Sequence, residues 1–504
     1  MSSTPLLTPL PAPLPVPVGP DAPPVSSSAS SAPAPRAASE TIRPELHAAS
    51  EPASAEPRGA SLRRLWVLMA TVFVDMIGFA MVLPLLPFYL KNLRAQDWLV
   101  GLVISSFAFA QLAASPFIGR LSDRYGRRPM ILGGLLLSAV AYVIFGFAHA
   151  LWLFFLSRFV QGIGSGTTGV VQAYVSDSIA PADRAKALGW VTAATSAGVM
   201  VGPLIGSFAF QFGRSAPGYF AAALCVINLV FAGRWLPESR RREAAAGPGE
   251  GAAAGAGPAA GAGPAAMRAA AVPASAAIPA AVRPPARRSL RRAVWEVLRQ
   301  PMSPVGSLIW VYAIGMMAFM ALNGVLGLYL RQQFDVTEST IGWFYGYVGG
   351  ISVVMRAVLL GPAVRRLGEI GVMRFGTLSL SLGMLATPLP SLLSPQLVLA
   401  VPGTHWHLPL RMLALALVVL LVPVGTALLF PSTTALVSRC APRGETGQVM
   451  GVQQAFGGVS RLVGPIWSTA LFGVDVRYPF WLAALLMMGG GFLTTRLRHQ
   501  APSR

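Results

Sequence analysis

One carboxylate stands where a carboxylate is expensive. Asp75 lies in the apolar run Leu65–Leu90, roughly 15 Å along it at helical rise. No other acid sits well inside an apolar run. A charge there is costly, so Asp75 either takes up and gives back a proton or forms a structural pair with a buried cation such as Arg158. Arg158, Gln161, Ser165, Thr168 and Gln172 follow one another at spacings of 3, 4, 3 and 4. That spacing puts them on one helical face. Such a polar stripe must face protein or water, lining a cavity or making interhelical hydrogen bonds. Further along, Asn323 is a polar candidate. Tyr345, Gly349, Ser352 and Arg356 share a face, as do Gln454, Gly458, Arg461 and Ser468. Arg356 and Arg461 either meet a substrate, pair structurally, or snorkel to the surface.

The elements that hold these residues are apolar blocks. Of the 504 residues, 54% are hydrophobic and 12% charged, and the mean hydropathy is +0.59. Soluble domains run nearer a quarter charged. Blocks of about 18 or more apolar residues read as membrane-spanning helices. Twelve are expected, near 65–90, 99–119, 130–149, 151–175, 187–211, 217–236, 304–330, 341–362, 373–393, 409–436, 448–472 and 478–496. The chain then divides into a disordered cytoplasmic tail (1–60, rich in Pro, Ala and Ser), a six-helix bundle (61–238), a flexible cytoplasmic linker (239–303), a second six-helix bundle (304–498) and a short tail (499–504). The two cysteines, Cys225 and Cys440, are expected to be buried, inert thiols. His405 and His407 are too few for a metal site, and neither a metal nor a cofactor is expected.

Net charge is +20, yet the arginines fall in short loops between apolar blocks, so topology rather than nucleic acid accounts for them. Arg120, Arg124, Arg127, Arg128, Arg184, Lys186, Arg365, Arg366, Arg374, Arg439 and Arg443 share one side, with the linker and both termini. By the positive-inside rule that side is cytoplasmic. The two halves also repeat. Gly119 and Gly126 match Gly361 and Gly368, 242 residues later; Gly189, Val175-Ser176 and Gly202-Pro203 match Gly451, Val437-Ser438 and Gly464-Pro465, 262 residues later. Six-helix repeats with a site at midplane are a transporter architecture.

Three motifs sharpen this. The loop after the second span carries Gly119, Asp123, Arg124, Gly126, Arg127 and Arg128 in fixed order. It resembles the G-x-x-x-D-R-x-G-R-[KR] motif of the major facilitator superfamily, where it latches the two halves on the cytoplasmic side. Gly119 and Gly126 permit a tight turn and close helix approach. In the second half Arg365 stands where Asp123 stands in the first, so that copy departs from the motif. Arg158, Gln161 and Gly162 resemble the family's R-x-x-Q-G motif, associated with proton transfer. Gly198, Gly202, Pro203 and Gly206 resemble the G-x-x-x-G-P-x-x-G motif of the drug/proton antiporter branch. Their four-residue spacing gives one smooth face, and Pro203 removes a backbone donor. Phe73 through Pro87, with Asp75, Gly78 and Pro84, is similar to the first helix of tetracycline-type efflux proteins.

The resemblance implies an all-α membrane protein with the major facilitator fold, working by alternating access in the cell membrane. It implies export of a small organic molecule or drug in exchange for protons, with no enzymatic chemistry. Asp75 and Arg158 would handle the proton, and Gln161, Ser165, Gln172, Asn323, Arg356, Gln454 and Arg461 would be candidate cavity residues. Three arginines against one aspartate favour anionic or zwitterionic substrates over lipophilic cations. The expected partners are a small-molecule substrate, protons and the lipid bilayer, without nucleic acid; a monomer suffices for the architecture. An uptake symporter or facilitator of the same fold, and a receptor or scaffold that no longer transports, stand as alternatives.

Overall fold

The computed structural model describes residues 58–179, 183–238, 290–400, 407–442 and 445–495. The tail before Arg58, most of the linker, His405 and the residues after 495 lie outside them. The first half contains α1 (Arg58–Val82), α2 (Leu86–Asn92), α3 (Asp97–Tyr125), α4 (Arg127–Gly146), α5 (Leu151–Ser165), α6 (Thr168–Ser178), α7 (Arg184–Phe210) and α8 (Ala216–Trp235). After the linker come α9 (Leu290–Arg299), α10 (Pro304–Phe334), α11 (Ile341–Val354), α12 (Leu360–Ala386), α13 (Leu410–Val419), α14 (Leu421–Cys440), α15 (Thr446–Phe472) and α16 (Tyr478–Thr495). A two-stranded antiparallel hairpin, β1 (Val398–Ala400) and β2 (His407–Pro409), interrupts the helices before α13.

Helices occupy all twelve apolar segments. Among the described residues, eight helical stretches are long and apolar enough to cross a membrane by length and composition alone. One of them, Ile341–Leu392, is 52 residues, about 80 Å of helix against a hydrocarbon core of about 30 Å. It turns at Gly368, whose φ is +69°. Gly126, the matching residue of the first half, has φ +101° and divides α3 from α4. Both turns need a residue without a Cβ.

Three local features depart from the sequence expectation. The fourth segment breaks at Gly166–Thr167, between α5 and α6. The eighth contains a single π turn, Met355–Leu359. The last part of the linker is the amphipathic helix α9, whose Val297 is buried and accepts a hydrogen bond from Trp310 Nε1 at 3.3 Å. Cys225 is buried as expected, whereas Cys440 is exposed, because it ends α14 beside a basic loop.

The halves meet along two antiparallel helix pairs. In α3 and α15, a Cβ on Gly101 would collide with Pro465 O and Thr469 Oγ1, Ser105 Oγ donates to Leu462 O at 2.6 Å, and Gly458 packs on Leu112. In α7 and α11, Gly342 N donates to Ser207 Oγ at 2.8 Å, Gly346 packs on Leu204 and Gly349 on Met200. The arginine-poor loops close over this end: Arg331 donates to Asn92 at 3.2 Å, and Asn92 to Glu338 at 3.3 Å. Towards the arginine-rich end, Gly119, Gly189 and Gly451 have, among the described residues, no atom outside their own helix backbone within 4 Å of where a Cβ would stand.

Candidate functional site

The interior of the first bundle gathers Asp75 from α1, Tyr142 from α4, and Arg158 and Gln161 from α5. Asp75 is half-buried and lines a small cavity with Thr71, Ser138, Gly164 and Thr167. Tyr142 is fully buried; Gly78, one turn along from Asp75, lies against its ring, where a Cβ would stand 3.2 Å from Cε2. Gln161 Nε2 donates to Tyr142 Oη. Arg158 is 1% exposed and stands over the Phe145 ring, 5.7 Å from its centroid. Its Nε, Nη1 and Nη2 have no hydrogen-bond partner among the described residues. No ion pair joins Asp75 to Arg158 among the described residues; Tyr142 lies against Gly78, one turn from Asp75, and is hydrogen-bonded by Gln161, one turn from Arg158. A buried guanidinium without an acid is costly. Inside a membrane helix such a group marks a functional position.

The polar stripe of the fourth span is split. Arg158 and Gln161 are buried against α4, Ser165 is half-buried, and Thr168 and Gln172 are exposed. The break at Gly166–Thr167 resets the helix between them. Ser165 also accepts, through its backbone oxygen, a hydrogen bond from Gln111 Nε2 at 3.2 Å.

In the motif loop, Arg127 is the hub. Its Nη1 lies 2.7 Å from Asp123 Oδ1 and donates to Ser122 Oγ at 3.0 Å; its Nε lies 3.0 Å from Asp177 Oδ2. Glu238 accepts from the backbone N–H of Arg127 at 2.9 Å and of Arg128 at 3.1 Å. A carboxylate at the first turn of α4 suits the helix dipole. Arg128 Nη2 donates to Gly233 O, and Arg124 lies over the Tyr125 ring. Gly126 is required by its φ and by Glu238, 2.7 Å from where its Cβ would stand; Gly119 meets nothing.

The α7 glycines do hold a close helix contact. A Cβ would stand 2.5 Å from Phe73 O on Gly198 and 2.7 Å from Ile77 O on Gly202, and would collide with Met81 O on Gly206. They therefore seat α7 on α1, the helix of Asp75. Pro203 faces the other way, its carbonyl against Gly342 of the second half.

In the second half, Arg356 lies in the π turn and its Nη1 donates to Ser196 Oγ of α7 at 3.1 Å. Single π turns recur at functional sites. Arg461 is half-buried beside Tyr312, its Nε without a partner among the described residues. Gln454 is on the same side of α15 and also reaches Tyr312. Asn323 donates to Phe319 O of its own helix at 2.7 Å. The second half also keeps the pair that Arg127 makes with Asp177, with its signs reversed. Glu369 and Arg439 stand at the matching positions, 2.9 Å apart.

Sequence reasoning missed Tyr142, Asp177 and Glu238. Tyr142 lies one turn from Ser138, a polar pair in an otherwise apolar span, and that was a usable signal. Asp177 and Glu238 are acids at span ends on the arginine-rich side, and only the fold brings them to Arg127.

Helical bundles repeated across a membrane, with buried charges inside them, define a polytopic transporter. The profile of the Major Facilitator Superfamily matches residues 68–418, and the chain belongs to that family. It is similar to multidrug resistance protein 2 of Bacillus subtilis (strain 168), 27% identical over 85% of this chain and 93% of that one. It is similar also to the class C tetracycline resistance protein of Escherichia coli, 25% identical over 82% and 90%. The crystal structure of the human organic anion transporter MFSD10 shares the fold, with a TM-score of 0.58 and 21% identity over 86% of this chain and 99% of that one. The protein is a multi-pass membrane transporter for small molecules, not an enzyme, and its relatives include drug-resistance proteins.

Proposed function

We propose that the protein exports a small organic molecule in exchange for protons by alternating access. The observation that carries this reading is Asp75, which faces a cavity inside the first bundle while Arg158 has no acid partner among the described residues. Protonation of Asp75 removes a charge one turn from Gly78, which lies against the Tyr142 ring. The hydrogen bond from Gln161 ties that change to α5. The α7 glycines carry it onward, because α7 sits on α1 on one side and on α11 of the second half on the other.

The arginine-rich loops, the linker and both termini are cytoplasmic in this reading, and the membrane is the cell membrane. The contacts between halves then lie at the outer end, an inward-open state. The latch of Asp123, Arg124, Arg127 and Arg128 acts when the cytoplasmic end closes. Arg356 and Arg461, with Gln454 and Asn323, serve the substrate route. Their charge favours anionic or zwitterionic molecules; a panel of exported compounds made up mainly of permanent cations would contradict that preference.

The test uses inside-out vesicles with an acid interior and a pH-sensitive dye, for wild type and Asp75→Asn. A compound that collapses the gradient with wild type should leave it at the level of protein-free vesicles with the variant. Equal collapse in both would make Asp75 structural. No response to any compound, together with uptake of labelled metabolites by whole cells, would turn the reading to a symporter.

A further inference from the structure

At the arginine-rich end, the start of α1, the start of α4 and the end of α8 border an open cleft of about 370 Å³. Arg63, Arg64, Arg128 and Arg234 line it, with Trp235 beside them. Among the described residues lining it there is no acid. Glu238, just beyond Pro237 of the lining, accepts two hydrogen bonds from the backbone of α4. Arg128 places a buried Nε there with no partner among the described residues, while its Nη2 is fixed on Gly233 O. Arg128 belongs to the motif loop; Arg63, Arg64 and Arg234 are used neither by that loop nor by the transport reading. We propose that the cleft binds the phosphodiester headgroup of an anionic phospholipid.

A guanidinium suits a phosphate, because its planar fork of donors matches the phosphate oxygens, and Arg63 and Arg234 present theirs exposed at the opening. The choice of a lipid over a soluble phosphate comes from what surrounds the cleft. On α8, Ile227 and Val230 are 64% and 63% exposed, and Arg234 follows on the same face. That stripe runs apolar along the membrane-spanning part and becomes cationic at its end. On α1, the exposed Trp66 lies one turn beyond Arg63. Exposed tryptophans at span ends belong to the headgroup level of a bilayer. A lipid whose acyl chains lie along Ile227 and Val230 has its phosphate at Arg234, and basic pockets between helices on that side suit anionic headgroups.

The probe is phosphatidylglycerol, titrated into the purified full-length protein in detergent and counted as bound adducts by native mass spectrometry. Phosphatidylcholine of the same chains and soluble glycerol 3-phosphate form the other arms. Wild type should retain phosphatidylglycerol in preference to phosphatidylcholine, and glycerol 3-phosphate at the same concentration should not displace it. At about fivefold per arginine near an anionic surface, Arg63→Gln and Arg234→Gln should each weaken retention about fivefold, and together about 25-fold. Both side chains are exposed, so neither change leaves a buried group unpaired, and the single variants carry the test if the double variant misfolds. Arg366→Gln, exposed at the same end in the second half, should bind as wild type does. Equal retention of phosphatidylcholine, or unchanged binding in the cleft variants, would overturn the proposal. Displacement by glycerol 3-phosphate would make the cleft a soluble-anion site instead.

Discussion

The two ends of the helix pairs that join the halves are built from the same residue type and are in opposite conditions. At the arginine-poor end, Gly101, Gly342, Gly346 and Gly349 are in backbone-close contact across the halves. At the arginine-rich end, Gly119, Gly189 and Gly451 face open space. The register links the two conditions. Gly101 meets Thr469, and Leu112 meets Gly458; continuing that antiparallel register brings Gly119 opposite Gly451. On α7 and the helix that runs from α11 through the π turn into α12, the same continuation brings Gly189 near Gly361, where a Cβ would stand 3.7 Å from Arg365 Nη1 of its own helix. One end uses its glycines now, and the other holds matched glycines in reserve.

The largest effect on stability is expected at the closed end. Gly342→Leu places a side chain into the Pro203 carbonyl oxygen and the Ser207 side chain. Overpacking of this kind costs about 1–3 kcal/mol or more. Thermal unfolding in detergent should show the variant as much less stable than wild type, or as unfolded. Gly206→Leu, which drives α7 off Met81 of α1, should act alike. A Gly342→Leu protein with wild-type stability would mean that the closed end is not packed as described.

A smaller effect is expected from the ion pairs of the motif loops. Arg127–Asp177 in the first half and Glu369–Arg439 in the second occupy matching places with opposite sign. Each pair has one partly exposed member, so each is worth about 0.5–1 kcal/mol. Arg439→Glu should destabilise by about that amount, and exchanging both charges, Glu369→Arg with Arg439→Glu, should recover most of it. The equivalent exchange in the first half should recover less, because Arg127 also pairs with Asp123 at 2.7 Å. A double-mutant cycle read by thermal unfolding distinguishes the two halves; equal recovery would remove the asymmetry.

The sequence made the apolar segments, the repeat and the motif loop readable, because periodicity, spacing and charge placement are local. It also placed Asp75, Arg158 and Gln161 among the residues of interest. It could not order them. That Tyr142 lies against Gly78 of α1 while bonded by Gln161 of α5 depends on how α4 packs on α5 and α8, and no spacing within one helix reports it. The stripe from Arg158 to Gln172 read as one face because helical periodicity was extended through Gly166–Thr167, where the helix resets. The π turn that carries Arg356 and the reversed pair of Glu369 with Arg439 were hidden for the same reason, since both depend on contacts between distant segments. Asp177 and Glu238 were visible as acids on a basic side but had no assigned partner until the fold brought Arg127 to them.

The smallest effect on stability, and the sharpest test of the comparison, lies at the open end. Gly119→Val and Gly451→Val add side chains where no described atom outside their own helix lies within 4 Å, so in the conformation described here they cost little, and the better helix preference of valine over glycine favours them by about 0.3 kcal/mol. Their thermal unfolding should match wild type. The proposed transport cycle requires the arginine-rich end to close, and closure along the existing register brings these two positions together. A valine at either then stands where the opposite helix must approach. Transport in vesicles should therefore fall several-fold with each single variant and close to background with the double variant, while stability holds. Retained transport in the double variant would show that the halves close at this end along another register, or that the open end stays open through the cycle.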